Sequence, residues 1–371
     1  MPSRGAEQNT SSPSTWPERA RAAPVTACLV SLCVLLFALT LVVVAAQPEQ
    51  PLQALLRSLW SIDSDAGLVQ LGALDLTRVW LDGEWWRLGS AALLHGSWLH
   101  LLLNMSALGS IGEWLEPALG SRNTLLIFIL SALGGSLASL AWCEAPVVVG
   151  ASGGILGLAG ALLVTRIFAE ERGEVRDVSA GSLALMIGLC LALGLVVPVI
   201  AQAGHLGGLV VGILGAAATL TRGPPRMATL LATSAILALG TVLGSTPTEI
   251  TNYHLFLGYR HLDDGSESEA LASFEAALAL EPEDPGLSNA VAYHLAIAGS
   301  ELDRADQLVD RALTDEPDNA DYLDTKGWIA CQRGDATAGM SWLRRAQHAS
   351  EREIDEIDEH ILNCSSAGSA L

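Results

Sequence analysis

Three short constellations in this sequence carry side chains that could do chemistry. His95, His100 and Asn104 stand in one apolar stretch, Gly150-Ala151-Ser152-Gly153-Gly154 opens a second, and Gly204-His205-Leu206-Gly207-Gly208 opens a third. A serine hydroxyl within reach of an imidazole is the minimum for a base-activated nucleophile. At about 100° per residue on a helix, His100 and Asn104 lie about 40° apart and share one face. His95 is about 140° from His100 and points elsewhere, so it is expected to fix the loop before that helix. Read singly, each residue has a plainer explanation. A serine in a glycine cluster serves packing, a lone membrane histidine is a proton relay or a structural hydrogen bond, and an asparagine holds helices together.

These residues sit in an apolar body. Half of the 371 residues are hydrophobic and 16% are charged, against about 25% charged in a soluble domain. Residues 1–24 are polar and rich in Ser, Thr and Pro and read as a disordered leader. Uncharged apolar runs follow at 25–46, 91–111, 123–143, 147–165, 181–203, 204–221 and 227–244. Each is near the roughly 20 residues that a helix needs to cross a bilayer, and lipid forces such runs to be helical because it offers the backbone no partner. The first run is too long for a signal peptide, whose apolar region spans about 7–15 residues, and reads as a retained helix. With seven spans and the N-terminus inside, the inner segments carry nine arginines and the outer loops three, Arg57, Arg78 and Arg87, as the positive-inside rule asks. Trp60, Trp80, Trp85, Trp86, Trp98 and Trp142 then fall on the outer side. Ser152 and His205 are expected a few residues inside the outer ends of their spans, with His100 about ten residues deep. Gly153, Gly157 and Gly160, and Gly204, Gly208 and Gly212, form stripes along which helix backbones touch. Intramembrane ionisable groups are costly, which marks the two histidines as functional candidates.

The net charge of -20 falls mostly on residues 251–371, with 24 acidic and 8 basic side chains. No basic patch exists for a nucleic acid. This tail shows a period of 34 to 35 residues: Ala270, Phe274, Ala277 and Pro282 correspond to Ala305, Val309, Ala312 and Pro317, then to Gly339, Leu343 and Ala346. Small residues at these offsets let paired helices cross closely, and proline ends the second helix. The pattern is similar to tetratricopeptide repeats over 251–353, with His254 and Asn289 where that pattern has Trp; 354–371 reads as a capping helix and a frayed end. The six cysteines contain no close C-x-x-C pair, and neither a zinc site nor a disulfide framework is expected.

The set H-x4-H-x3-N (His95, His100, Asn104), G-x-S-G (Gly150 to Gly153) and H-x2-G-x3-G (His205, Gly208, Gly212) resembles the rhomboid family of intramembrane serine proteases over residues 25–222. Glu84-Trp85-Trp86-Arg87 is similar to the first-loop Trp-Arg motif of that family. The resemblance implies an all-α polytopic bundle of six helices, here with a seventh span at 227–244 and a soluble repeat tail. It implies Ser152 as nucleophile and His205 as general base without a third carboxylate. The Ser152 backbone N–H, His100 and Asn104 would hold the oxyanion, each such donor contributing about 2.7–4 kcal/mol. His95, Gly150, Gly153, Gly208, Gly212, Trp86 and Arg87 would support the site. Leu156 departs from the family, which commonly has an aromatic residue there to stack on the histidine; Ala151 stands where inactive relatives carry proline.

The expected function is an intramembrane serine endopeptidase cleaving transmembrane proteins near the outer face, without metal or organic cofactor. Its partners are membrane protein substrates, lipid, and a protein ligand of the repeat tail, which lies outside if 227–244 spans. The alternative is a catalytically inactive rhomboid-like adaptor acting through client binding and the repeats. A small-solute or proton transporter is disfavoured, because no intramembrane acid pairs with His205 and no inverted repeat of broken helices is present.

Overall fold

The computed structural model describes residues 21–45, 65–142, 147–171, 178–196, 201–245, 247, 250–350 and 355–368. Most of the expected leader, residues 1–20, lies outside them. The chain divides into two compact units, residues 1–246 and 247–371.

In the first unit the long elements are α1 (Pro24–Ala45), α5 (Trp98–Leu119), α6 (Ser121–Trp142), α7 (Ser152–Glu171), α8 (Ala180–Val196), α9 (Gln202–Leu220) and α10 (Pro224–Ser245). Five of them, α1, α6, α7, α9 and α10, are long and apolar enough to cross a membrane. α8 is a shorter apolar helix of 17 residues. The second apolar run does not form one helix from residue 91. It opens with α4 (Arg87–Ser90) and a 3-10 turn at Ala91–Leu93, and α5 begins only at Trp98, where the Ser97 hydroxyl caps it by accepting from the His100 N–H. His100 therefore stands in the first turn of α5, and Ser152 is the first residue of α7. An apolar run reports composition and cannot show where a cap starts the hydrogen-bond ladder.

α7 is the central helix, buried almost continuously from Gly154 to Leu162. α1 and α10 are peripheral and turn leucines and valines such as Leu35, Val42, Leu231 and Leu239 outward. In lipid such side chains lose nothing by exposure, so close packing must hold the bundle. Glycine supplies it. A Cβ on Gly208 would sit 2.1 Å from the Gly153 carbonyl oxygen, and one on Gly212 would sit 2.1 Å from that of Gly157. α9 meets α6 through a second seam, where a Cβ on Gly207 would lie 2.5 Å from the Gly134 carbonyl oxygen and one on Gly135 2.7 Å from that of Gly204.

One polar group ties the first helix in place. Glu116, 2% exposed near the end of α5, accepts from the Val25 and Thr26 N–H groups and from the Thr26 and Ser121 hydroxyls at 2.7 to 2.9 Å. The opening turn of a helix leaves N–H groups without internal partners, and a carboxylate there also favours the helix dipole. Gly112, one turn earlier, gives Thr26 its space: a Cβ there would lie 2.2 Å from the Thr26 hydroxyl oxygen. Glu116→Ala leaves these donors buried and unpaired and should lower stability by roughly 3 kcal/mol; a denaturant titration in detergent with Glu116→Gln as the milder control checks this.

Between α1 and α5 lie α2 (Asp65–Gln70), β1 (Leu74–Asp75) and α3 (Leu76–Asp82). β1 pairs antiparallel with β2 (Val147–Val148), in the register Leu74 to Val148 and Asp75 to Val147. This two-residue pairing is the small departure from an all-α unit.

The second unit is helical throughout its described residues. α11 (Thr251–Asp263) and α12 (Glu267–Leu280), α13 (Pro285–Ile297) and α14 (Leu302–Asp315), and α15 (Ala320–Gln332) and α16 (Ala336–Ala349) follow as pairs, and α17 (Asp355–Gly368) closes the unit. Asp284, Asn319 and Asp335 cap α13, α15 and α16 with their side chains. Gly258 faces the Phe274 ring and Gly327 faces Leu343, where a Cβ would come within 2.5 and 2.7 Å. Cys331 and Cys364 form a disulfide with their Cα atoms 5.5 Å apart. This corrects the expectation of no disulfide: sequence spacing alone does not reveal that α17 folds back beside α15.

Candidate active site

Gly150, with φ of +129°, turns the chain from β2 into α7. That backbone conformation favours glycine, and the absence of a side chain has a second use. A Cβ at Gly150 would lie 2.8 Å from His100 Cε1 and 2.9 Å from Nε2, so the imidazole occupies the space a side chain would fill. The Gly150 N–H donates to the Ala91 carbonyl at 3.0 Å, which joins this turn to the 3-10 turn before α5.

Ser152 then begins α7, and His205 lies in the first turn of α9. Ser152 Oγ and His205 Nε2 are 2.9 Å apart. Their approach follows from the glycine seam: Gly153 and Gly208 bring the two backbones together one residue and one turn away from the pair. A hydroxyl in this contact can pass its proton to the imidazole as the oxygen attacks a carbonyl. His205 Nδ1 is buried and has no hydrogen-bond partner among the described residues, so no carboxylate orients the ring from behind. His205 also makes no ring contact among them, in keeping with an aliphatic Leu156 one turn after the serine.

His95 is fully buried, with its ring edge-on to His100 at 5.1 Å between centroids. It supports the ring that faces Gly150 and precedes α5 rather than lying in it. Asn104 is buried on the expected face, but its side-chain amide donates to the His100 carbonyl at 3.0 Å. In this arrangement Asn104 steadies the turn that carries His100 and makes no hydrogen bond to Ser152.

The loop motif is an anchor. Arg87, 3% exposed, donates to Glu84 at 2.5 Å and to the Val69 and Ala73 carbonyls at 2.7 and 2.9 Å, and lies 4.7 Å from the centroid of the Trp86 ring. Gly72 makes room for that indole: a Cβ there would lie 2.5 Å from the Trp86 ring. Ser90 donates to the Gly72 carbonyl at 2.6 Å, and Ser136 of α6 donates to the Leu88 carbonyl at 2.8 Å. Sequence reasoning missed Ser90, Ser136 and the α6 glycines. Gly134-Gly135 inside an apolar run was the available signal for the last of these.

Residues 82–222 match the Rhomboid domain. The chain is 36% identical over 151 residues to the Rhomboid protease GluP of Bacillus subtilis (strain 168), covering 41% of this chain and 29% of that protein. It is 36% identical over 149 residues to RHOMBOID-like protein 6, mitochondrial, of Arabidopsis thaliana, covering 40% and 48%. Rhomboid-like protease 5 of Toxoplasma gondii is 44% identical over 93 residues, covering 25% and 11%. The chain thus spans less than half the length of each of these relatives. The domain match and these relatives support a rhomboid-family, multi-pass membrane protein.

Proposed function

We propose that this protein is an intramembrane serine endopeptidase that cleaves transmembrane substrates near the outer membrane face. The observation that carries this reading is the 2.9 Å contact of Ser152 Oγ with His205 Nε2 at the ends of two glycine-packed helices. Ser152 attacks the scissile carbonyl while His205 takes its proton; His205 then gives a proton to the leaving amine, and water releases the acyl group by the reverse sequence. The Ser152 N–H and His100 stabilise the oxyanion, with Asn104 reaching it only by giving up its bond to the His100 carbonyl. Two of the relatives are named as proteases, which agrees with this reading. Labelling with a fluorophosphonate serine probe tests it: the wild type reacts and Ser152→Ala does not, and equal labelling of both would end the assignment.

This assignment of roles separates two neighbours. His100→Ala is expected to lower kcat by about 10²–10³-fold, the effect of one oxyanion donor, with KM nearly unchanged. Asn104→Ala should cost less, because its amide serves the helix backbone. Turnover of one transmembrane peptide by the two variants gives the comparison.

We read seven spans with the N-terminus inside, an orientation in which the C-terminal unit is outside. The arginine asymmetry supports this orientation, and so does the Cys331–Cys364 disulfide, since disulfides persist in oxidising compartments. That unit is read as a tetratricopeptide-like array at 251–353 with a capping helix, serving as a protein-binding surface. A second reading, an inactive rhomboid-like adaptor, draws on the absence of a ring partner for His205 among the described residues. Its phenotype would survive Ser152→Ala.

A further inference from the structure

Asn289 and Tyr293 of α13 and Asp324 and Trp328 of α15 occupy matching positions, 35 residues apart, on the first helices of successive pairs. α17 lays polar groups against them. His360 Nδ1 lies 2.8 Å from Asp324 Oδ2, and its ring stacks on the Trp328 indole with centroids 4.5 Å apart and planes 16° from parallel. The Tyr293 hydroxyl donates to Glu356, and the Tyr293 ring lies 6.1 Å from that of His360. Ile357 and Ile361 of α17 pack with Leu323, Trp342 and Ala346, and the disulfide at Cys364 clips the helix one turn beyond His360.

The imidazole fits this place incompletely. Asp324 is 5% exposed and His360 7%, yet Asp324 Oδ1, Asn289 Oδ1 and Trp328 Nε1 are buried without a hydrogen-bond partner. Most buried polar atoms in proteins are paired, so three such atoms at repeating positions of one helix row call for an explanation. Burial holds the Asp324 carboxyl above the ordinary carboxylate range, with the bond from His360 opposing it. One imidazole N–H reaches one carboxylate oxygen and leaves the other. A guanidinium is planar, always charged, stacks on an indole and offers parallel donors to both carboxylate oxygens. The surroundings suit a cation: Glu356 and Asp321 act on Asp324, and Glu356 and Glu359 act on Tyr293.

We propose that Trp328, Asp324 and Tyr293 form an arginine-binding pocket of the C-terminal unit, that its ligand is an arginine-bearing peptide segment of a partner protein, and that His360 of α17 is the chain's own placeholder in it. The guanidinium stacks on the Trp328 indole, with the tilted Tyr293 ring at its side, and bonds to both Asp324 oxygens. Asn289 Oδ1, at the matching position of the preceding pair, accepts from the same segment. The Cys331–Cys364 disulfide keeps the placeholder seated, so the pocket is closed in this structure. Nothing in it depends on catalysis by the membrane unit.

Fluorescence anisotropy on the full chain in detergent, with fluorescein-labelled Gly-Ser-Arg-Ser-Gly and its citrulline counterpart as probes, tests this. His360→Ala should bind the arginine peptide at least about tenfold more tightly than the wild type does, and at least about tenfold more tightly than it binds the citrulline peptide, since citrulline keeps the shape and loses the charge. Cys364→Ser should give a gain in the same direction with His360 intact. Asp324→Asn in the His360→Ala background should remove the gain. Absence of any gain in His360→Ala, equal affinity for the two peptides, or a gain that survives Asp324→Asn would overturn the proposal. If Asp324→Asn does not fold, the arginine-to-citrulline ratio of His360→Ala alone decides.

Discussion

Ser152→Ala is expected to bring cleavage of a model transmembrane substrate to background, a loss of at least about 10⁴-fold. The hydroxyl is the nucleophile of the proposed mechanism, and its alanine replacement leaves the helices undisturbed because Ser152 begins α7 and its Oγ bonds to His205 alone among the hydrogen bonds of the described residues. His205→Ala should fall nearly as far, and the double variant no further, since residues acting as one unit do not contribute additively. Reconstituted vesicles carrying a fluorogenic transmembrane peptide give the rate. Retained cleavage in Ser152→Ala, with thermal unfolding unchanged, would exclude the serine mechanism.

Gly208→Val should be the most damaging change that removes no chemical group from the site. A Cβ at Gly208 would stand 2.1 Å from the Gly153 carbonyl oxygen, 2.6 Å from its carbon and 2.9 Å from its Cα. All three atoms are backbone, so no side chain can swing aside and α7 and α9 must separate. Gly153 adjoins Ser152, and Gly208 follows His205 by less than one turn, so the separation is passed directly to the 2.9 Å contact. A displacement of about 1 Å in a catalytic geometry can cost about 10²-fold in rate, and overpacking adds about 1–3 kcal/mol of instability. We expect turnover reduced by at least about 10²-fold together with a lower unfolding midpoint. Gly160→Ala is the control: its nearest neighbours are the Leu209 and Ile213 side chains at 2.7 and 2.9 Å, and the one backbone atom it meets, the Leu209 carbonyl oxygen, lies 3.3 Å away. A Gly208→Val protein with normal turnover would show that the glycine seam does not set the serine–histidine distance.

The candidate site was legible because its chemistry sits in fixed short patterns on apolar runs. Small residues at every fourth position announce a backbone contact, and Ser152 and His205 each lie beside such a stripe. The helix starts were not legible. Ser97 starts α5 by a hydrogen bond to His100, and the +129° φ of Gly150 delays α7 until Ser152; neither is written in hydropathy. Asn104 lay on the predicted face, but its amide chose the carbonyl one turn back, a local bond that competes with any role in the site. Helices follow one another through the C-terminal unit, whereas the Cys331–Cys364 bond depends on how α17 packs and is invisible to spacing.

The Glu116 contact has a consequence for how the protein is made. The opening N–H groups of α1 can take up this carboxylate only after a residue 90 positions beyond Thr26 has been synthesised. At about 5–20 residues per second, that interval is on the order of 5–20 s. The bonds to Glu116 therefore join α1 to the rest of the unit only after most of α5 has been made.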